Sequence, residues 1–326
     1  MEPATEIGVK TPLPAPPASG QTIAVLTGGD QSSTAIADAI KEVAKQVGWE
    51  VVTIGFKQDQ PQTVVTALEQ VLSLNPKPVA TTVTSVSPEV WQSVIPDFEE
   101  AGVAIIPIGT TGIEAQPAVP TGDFLWGGDT QEQRGEQIGN YIVASSGGKA
   151  KVVAIDSPDI PIFGKYNEGI KKALDACAGC SMTVENVSTK DLFTNGAATA
   201  ASIAQRSADA DWLSLPFGSV FVGLRNSLEA AGRGDIHVTS SSCSQENLQD
   251  VKDGKVDACL VTAAKYFGYV TMDAAFRIVQ KAELPLAEYT VMPQQIFTEE
   301  NTEETISDYF QPEDIPQRFN TLWGLK

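Results

Sequence analysis

From Thr22 onward, short apolar runs alternate with segments whose apolar residues recur at helical spacing, and that rhythm leaves few folds open to the chain. The run TIAVLTG is followed by Ile36, Ile40, Val43 and Val47, which fall on one helix face, and Gly48 closes that helix. The unit repeats, with strands expected near 50–56, 78–85 and 104–110 and helices near 61–74 and 88–101. Pro61 and Pro88 stand in first turns, where a missing N–H costs nothing. Strands such as VAIIPIGT lack polar alternation, so both faces are buried, and the intervening helices make the sheet parallel.

Residues 111–127 interrupt the rhythm with Gly and Pro, and Asp129 then caps a new helix. The alternation restarts with strands near 151–157, 182–188, 212–216, 236–241 and 257–263, separated by helices near 130–145, 162–177, 197–208, 220–231 and 244–253. At 326 residues the chain can close two cores. The fold class expected is therefore α/β, with two doubly wound parallel-sheet lobes. A helix near 266–282 and the strand YTVMPQQIF are shared between them, and the segment through Phe319, Leu322 and Trp323 reads as a short helix packed on a surface. Pro3, Pro12, Pro14, Pro16 and Pro17 exclude a helix or sheet interior from residues 1–20, which are expected to be a disordered tether.

A net charge of −19 repels phosphate backbones and anionic lipid heads, which argues against nucleic acid as a partner. Met1-Glu2 is not a signal-peptide start, so an exported protein would have had its leader removed. Cys177 and Cys180 end one helix pattern, while Cys243 and Cys259 flank another at the ends of neighbouring strands. Of three possible pairings, 177–180 and 243–259 are the expected disulfides, which implies an oxidising compartment. The alternative is four buried thiols in a cytosolic protein.

Catalytic chemistry has little to work with. His237 is the only histidine and sits in a strand run, so triads and histidine-rich metal sites are excluded, and no cofactor or enzyme activity is expected. CAGC follows a helix, whereas a redox pair belongs at a helix start, where the dipole lowers the thiol pKa. The loop TGGDQSS lacks both the Walker lysine and the GxGxxG spacing. Asp30 there either caps the following helix or meets a ligand, and it would repel an anion. Ligands of open parallel sheets bind beyond the strands' carboxyl ends. Those ends read Asp30, Ser32 and Ser33, then Thr84 and Ser85, Thr110 and Thr111, Phe217, Ser242 and Thr262. Hydroxyls and rings of this kind suit a small uncharged ligand.

Taken in order, TIAVLTGGD with DAIKEVAKQVGWEV, AGVAIIPIG, WGGDTQEQRGEQIGNYI, KYNEGIKKAL, SVFVGLRNSLEAAG and NLQDVKDGKVDACLV resemble the type 1 periplasmic-binding-protein family over residues 21–300. Within it the likeness is to the ribose-binding-protein-like receptors of ABC importers. FNTLWGLK and the cysteine pairs resemble its actinobacterial members. The resemblance implies three hinge crossings, near 123–127, 260–264 and 285–289. An N-terminal lobe of 21–124 plus 263–286 and a C-terminal lobe of 125–262 plus 287–326 would close over the ligand. It also implies a monomeric extracytoplasmic receptor, exported and lipid-anchored, that delivers its ligand to an ABC permease.

By position, Asp30 falls where relatives place a ligand-contacting Asn. Elsewhere Gly109-Thr110-Thr111 replaces an Asp-Arg, Tyr166 an Arg, Phe217 an Asn, Ser242 an Asp and Thr262 a hinge Gln. The ligand set so implied is Asp30, Ser32, Ser33, Thr84, Thr110, Thr111, Phe163, Tyr166, Phe217, Ser242, Thr262 and Tyr266. Its ligand is expected to be a neutral sugar, polyol or similar molecule, with a small aromatic as the alternative. The competing classes are a ligand-sensing regulatory domain and a thiol oxidoreductase.

Overall fold

The computed structural model describes residues 2–243, 245–302 and 311–325. Ser244, which opens the helix expected near 244–253, lies outside the described residues, as do Met1, 303–310 and Lys326. The chain divides into two compact units.

The N-terminal unit begins with β1 (Thr22–Thr27), α1 (Gln31–Gln46), β2 (Glu50–Gly55), α2 (Thr63–Leu72), β3 (Ala80–Thr84), α3 (Pro88–Trp91), α4 (Ile95–Ala101) and β4 (Ala104–Ile108). Its strands are parallel in the order β2-β1-β3-β4, so the path reverses direction between β1 and β3. Leu26, Leu68, Val83, Trp91, Phe98 and Ile105 fill one side of the sheet. The single helix expected near 88–101 is broken by a 3-10 turn at Gln92–Val94. Pro96, in the first turn of α4, has no N–H to continue the ladder.

The C-terminal unit holds most of α5 (Gly128–Ser145), then β5 (Lys151–Asp156), α6 (Pro161–Asp175), β6 (Ser181–Asn186), α7 (Thr189–Arg206), β7 (Trp212–Leu215), α8 (Leu224–Ala230), β8 (His237–Ser241), α9 (Gln245–Lys252) and β9 (Ala258–Thr262). The same reversal recurs between β5 and β7. β10 (Gln294–Phe297) adds antiparallel to β9, with Gln294 opposite Thr262. α7 starts earlier than expected because Ser188 caps it, accepting from Asp191 N, and non-helical backbone at Asn195 masks the continuity. Close packing of α5 on α6 requires glycine. A Cβ on Gly135 would lie 1.8 Å from the Tyr166 carbonyl oxygen, and one on Gly169 would lie 1.9 Å from that of Glu132.

Three further helices complete the N-terminal unit: α10 (Ala264–Gln280), α11 (Leu286–Tyr289) and α12 (Ile315–Leu322). The expected lobe limits therefore shift. The chain passes between units at 2/3, 130/131, 262/263 and 293/294 and again between 302 and 311, so that residues 311–325 belong with the N-terminal unit rather than the C-terminal one. Aromatic packing accounts for that assignment, since Phe319 and Trp323 stack on Tyr269 at 5.3 and 5.8 Å between ring centres.

The disordered tether expected for residues 1–20 is also corrected. Ile7, Val9 and Leu13 are buried. Glu288 accepts from Lys10 N at 2.7 Å, Thr11 N at 3.0 Å and Thr11 Oγ1 at 2.7 Å. Leu13 N donates to Leu322 O, and Trp49 Nε1 to Ala18 O. The prolines forbid a helix, but they permit an extended strap docked through the residues between them.

Candidate functional site

In a doubly wound sheet, ligands gather beyond the strand carboxyl ends where the path reverses. On the N-terminal unit this face is formed by the loops after β1, β2, β3 and β4. Asp30 caps α1, its Oδ1 accepting from Ser32 N and Ser33 N at 3.0 Å each. Both readings of Asp30 therefore start from a fixed carboxylate, with Oδ1 turned toward the helix. Ser33 is buried and shares a hydrogen bond with Thr27 Oγ1 at 3.0 Å. Thr84 is buried at the end of β3. Thr110 Oγ1 donates to Val86 O, tying the β4 loop to the β3 loop, and Thr111 Oγ1 donates to Asp123 Oδ2.

Three residues on this face escaped the sequence reading. Gln58 covers Gly28 and donates to Ser85 O, while Asp123 holds Thr111 and Gly112 N. Trp126 packs its ring on Gly109, where a Cβ would come within 2.7 Å of it, and meets Phe267 edge-on at 5.0 Å. Trp126 and Ser85 have positive φ, 57° and 55°, a backbone state that concentrates at functional sites.

The C-terminal unit repeats the arrangement. Ser242, at the end of β8, has φ 53°, matching Ser85 in the other unit. Phe163, in the first turn of α6, and Phe217, after β7, lie with ring centres 6.2 Å apart. Asp156 ends β5 and accepts from Ser157 N at 2.8 Å, and burial raises its carboxyl above the ordinary range despite that bond. It too was missed.

Arg134 is the largest omission. It is fully buried, and its guanidinium donates to Gln294 Oε1 at 2.8 Å, Ser241 Oγ at 2.7 Å, Thr262 Oγ1, Ser242 Oγ and Leu260 O. Burial lowers its pKa to about 10, which still leaves it charged at neutral pH. The signal was present: Arg134, Ile138 and Ile142 are spaced by four and share a buried helix face.

Two expected ligand residues are packed into the interior. Tyr166 is buried among Ile138, Ile142, Ile170 and Leu260, with its hydroxyl within the influence of Ser214 and the Arg134 guanidinium. Helical spacing from Ile162 and Ile170 turns that side chain into the core. Tyr266 is wholly buried, accepting from Gly8 N and donating to Val291 O, so it fastens the N-terminal strap. Both expected disulfides are formed, Cys177–Cys180 and Cys243–Cys259, the second beside Ser242. Among the described residues no cluster of metal-ligating side chains occurs.

Two doubly wound units with strand-end faces of hydroxyls, rings and a few carboxylates define the type 1 periplasmic binding fold. The sequence profile of the periplasmic binding protein domain matches residues 23–283, and the chain belongs to that family. Solved structures agree on the fold. An ABC sugar transporter subunit from Rhodobacter sphaeroides is 18% identical with a TM-score of 0.71, over 87% of this chain and 99% of its own. An ABC transporter solute binding protein from Burkholderia graminis, in complex with D-arabinose, is 16% identical with a TM-score of 0.72, over 88% and 98%. One from Actinobacillus succinogenes with bound D-allose is 15% identical with a TM-score of 0.70, over 88% and 100%. No curated protein matches by sequence.

Proposed function

We propose that the chain is the extracytoplasmic solute receptor of a bacterial ABC importer, and that it binds a small neutral polyhydroxylated molecule, a sugar or polyol, without altering it. The observation that carries this reading is the chemistry repeated on the two strand-end faces. Asp30, Ser32, Thr84 and Thr111 on one unit, and Asp156, Ser242 and Thr262 on the other, offer acceptors and reversible hydroxyl donors, while Phe163 and Phe217 offer rings for a C–H face. The sugars bound by the structural neighbours support the same ligand class.

A guest that touches both faces favours the closed form, because it gains contacts there that an open form lacks. The permease would read that form. Action as a monomer outside the cytoplasm, with a lipid anchor, belongs to the same proposal, and the net charge of −19 supports the absence of a nucleic-acid partner. Among the described residues no helix is long and apolar enough to cross a membrane.

Thermal-shift screening tests the reading with D-arabinose, D-allose, D-ribose, xylitol, myo-inositol and benzoate. A ligand at about 100 times its Kd adds about 2.7 kcal/mol to stability, which is readily seen as a higher Tm. Stabilisation by one or more of the sugars or polyols is the expected result. A response to benzoate alone would overturn the ligand class in favour of a small aromatic.

A further inference from the structure

The chain passes between units at 2/3, 130/131, 262/263 and 293/294 and once more between 302 and 311, and the three central passages lie close to one side chain. Within the C-terminal unit, Arg134 follows the first of these on α5 and bonds the residues that border the other two. Arg134 follows the first passage by one helical turn, Thr262 is the last residue before the second, and Gln294 is the first residue after the third. The Arg134 guanidinium donates to Thr262 Oγ1 and to Gln294 Oε1 through the same nitrogen, Nη1. Its other terminal nitrogen, Nη2, donates to Ser241 and Ser242 at the end of β8. β9 and β10 pair through Thr262 and Gln294, so the guanidinium and the backbone register brace the same two passages. Inside the N-terminal unit, Thr130 Oγ1 donates to Thr290 O at 2.9 Å, joining the first passage to the segment leading to the third.

We propose that Arg134 is a positioning residue that binds the three central passages into one pivot and couples them to the ligand-facing loop at Ser242. This inference rests on the receptor reading for its purpose, since a hinge needs a guest to close on. Its physical basis is separate. A planar guanidinium holds several acceptors at fixed angles, which a lysine ammonium does not do. Strands tied to one such fork move together, whereas untied strands give each passage its own freedom. A shift of Ser242 on ligand contact reaches Thr262 and Gln294 through one rigid group.

The test removes the acceptors rather than the buried cation, so that folding is preserved. Spin labels are placed at Lys41→Cys and Lys171→Cys, which are exposed and lie in different units, and the native cysteines are held in disulfides. Pulsed electron–electron resonance then reads the width of the label-to-label distance distribution in the ligand-free protein. Thr262→Val and Gln294→Leu should each widen it about twofold as hinge freedom increases. Ser241→Ala removes an Arg134 partner that does not border a passage, and it should leave the width unchanged. Unchanged widths in both hinge variants would overturn the proposal, as would equal widening by Ser241→Ala, which would make Arg134 a general core brace. The readout requires no ligand. Widening without any polyol response in the thermal-shift screen would retire the ligand class and leave the pivot standing.

Discussion

Trp323 donates its indole N–H to Oδ1 of Asp273 at 2.8 Å, joining residues 50 positions apart in the chain. The same carboxylate accepts from Arg277 Nε at 2.7 Å and from the Tyr289 hydroxyl at 2.8 Å. Asp273 and Arg277 are both excluded from solvent, so neither charge can be released to water if the other is lost. Asp273→Ala should destabilise the protein by about 3–5 kcal/mol, the usual consequence of leaving a buried charge without its partner. Urea denaturation followed by far-ultraviolet circular dichroism would read this, and a loss below about 1 kcal/mol would contradict the network.

Glu288 fastens the N-terminal strap through Lys10 and Thr11. Burial alone would raise its pKa, but the hydrogen bonds from Lys10 N and from the Thr11 hydroxyl and amide hold it below the ordinary carboxylate range. A depressed folded-state pKa contributes stability above the unfolded value and loses it as pH falls through the folded one. The strap should therefore loosen under acid, below the normal range for glutamate. Glu288→Gln should cost about 1 kcal/mol near neutral pH. It should also speed hydrogen exchange at the Lys10 and Thr11 amides while protection in the C-terminal unit stays the same.

Asp156 behaves in the opposite sense. Its folded-state pKa is raised, so the native state binds more protons than the unfolded chain just above the ordinary carboxylate value, and stability falls as pH rises through that window. Asp156→Asn should raise Tm by about 2 °C at pH 7 and lose the advantage below about pH 4. If Asp156 meets a ligand hydroxyl, the same variant weakens polyol binding about tenfold, equal to one charge-assisted hydrogen bond. A gain in stability with unchanged affinity would remove it from the site.

Phe217 and Tyr166 separate a proposed ligand contact from a core residue. Phe217→Ala should weaken polyol binding by about 1 kcal/mol or more as its ring is withdrawn. Tyr166→Phe removes only a hydroxyl that interacts with Ser214 and Arg134 inside the core, so stability should change by about 1 kcal/mol and affinity should not change. Calorimetric titration of both variants with whichever sugar stabilises the wild type would read these outcomes.

Legibility in the sequence followed physical period. The alternation of apolar runs and helix-spaced residues located both sheets, because burial on two faces of a parallel strand leaves an unbroken apolar run, as in Ala104–Ile108. Segments lacking a period were misplaced. The prolines of residues 1–20 concealed Ile7, Val9 and Leu13, whose burial depends on partners hundreds of residues away. Strand-end hydroxyls such as Ser242 and Thr262 could be identified by topology alone. Arg134 was passed over because an arginine ordinarily faces water, although its spacing to Ile138 pointed inward. Tyr166 takes the place of a relative's arginine by resemblance, while its helical phase sets it in the core.

Leu13 N donates to Leu322 O, so the first and last parts of the N-terminal unit are bonded to each other. Two stretches of the C-terminal unit, 131–262 and 294–302, interrupt the chain of that unit between those ends. During synthesis its α10 helix emerges long before the aromatic pair Phe319 and Trp323 that covers it. The C-terminal unit has its last strand in hand at Phe297, before that pair is made, so the half of the protein that starts earliest is completed last.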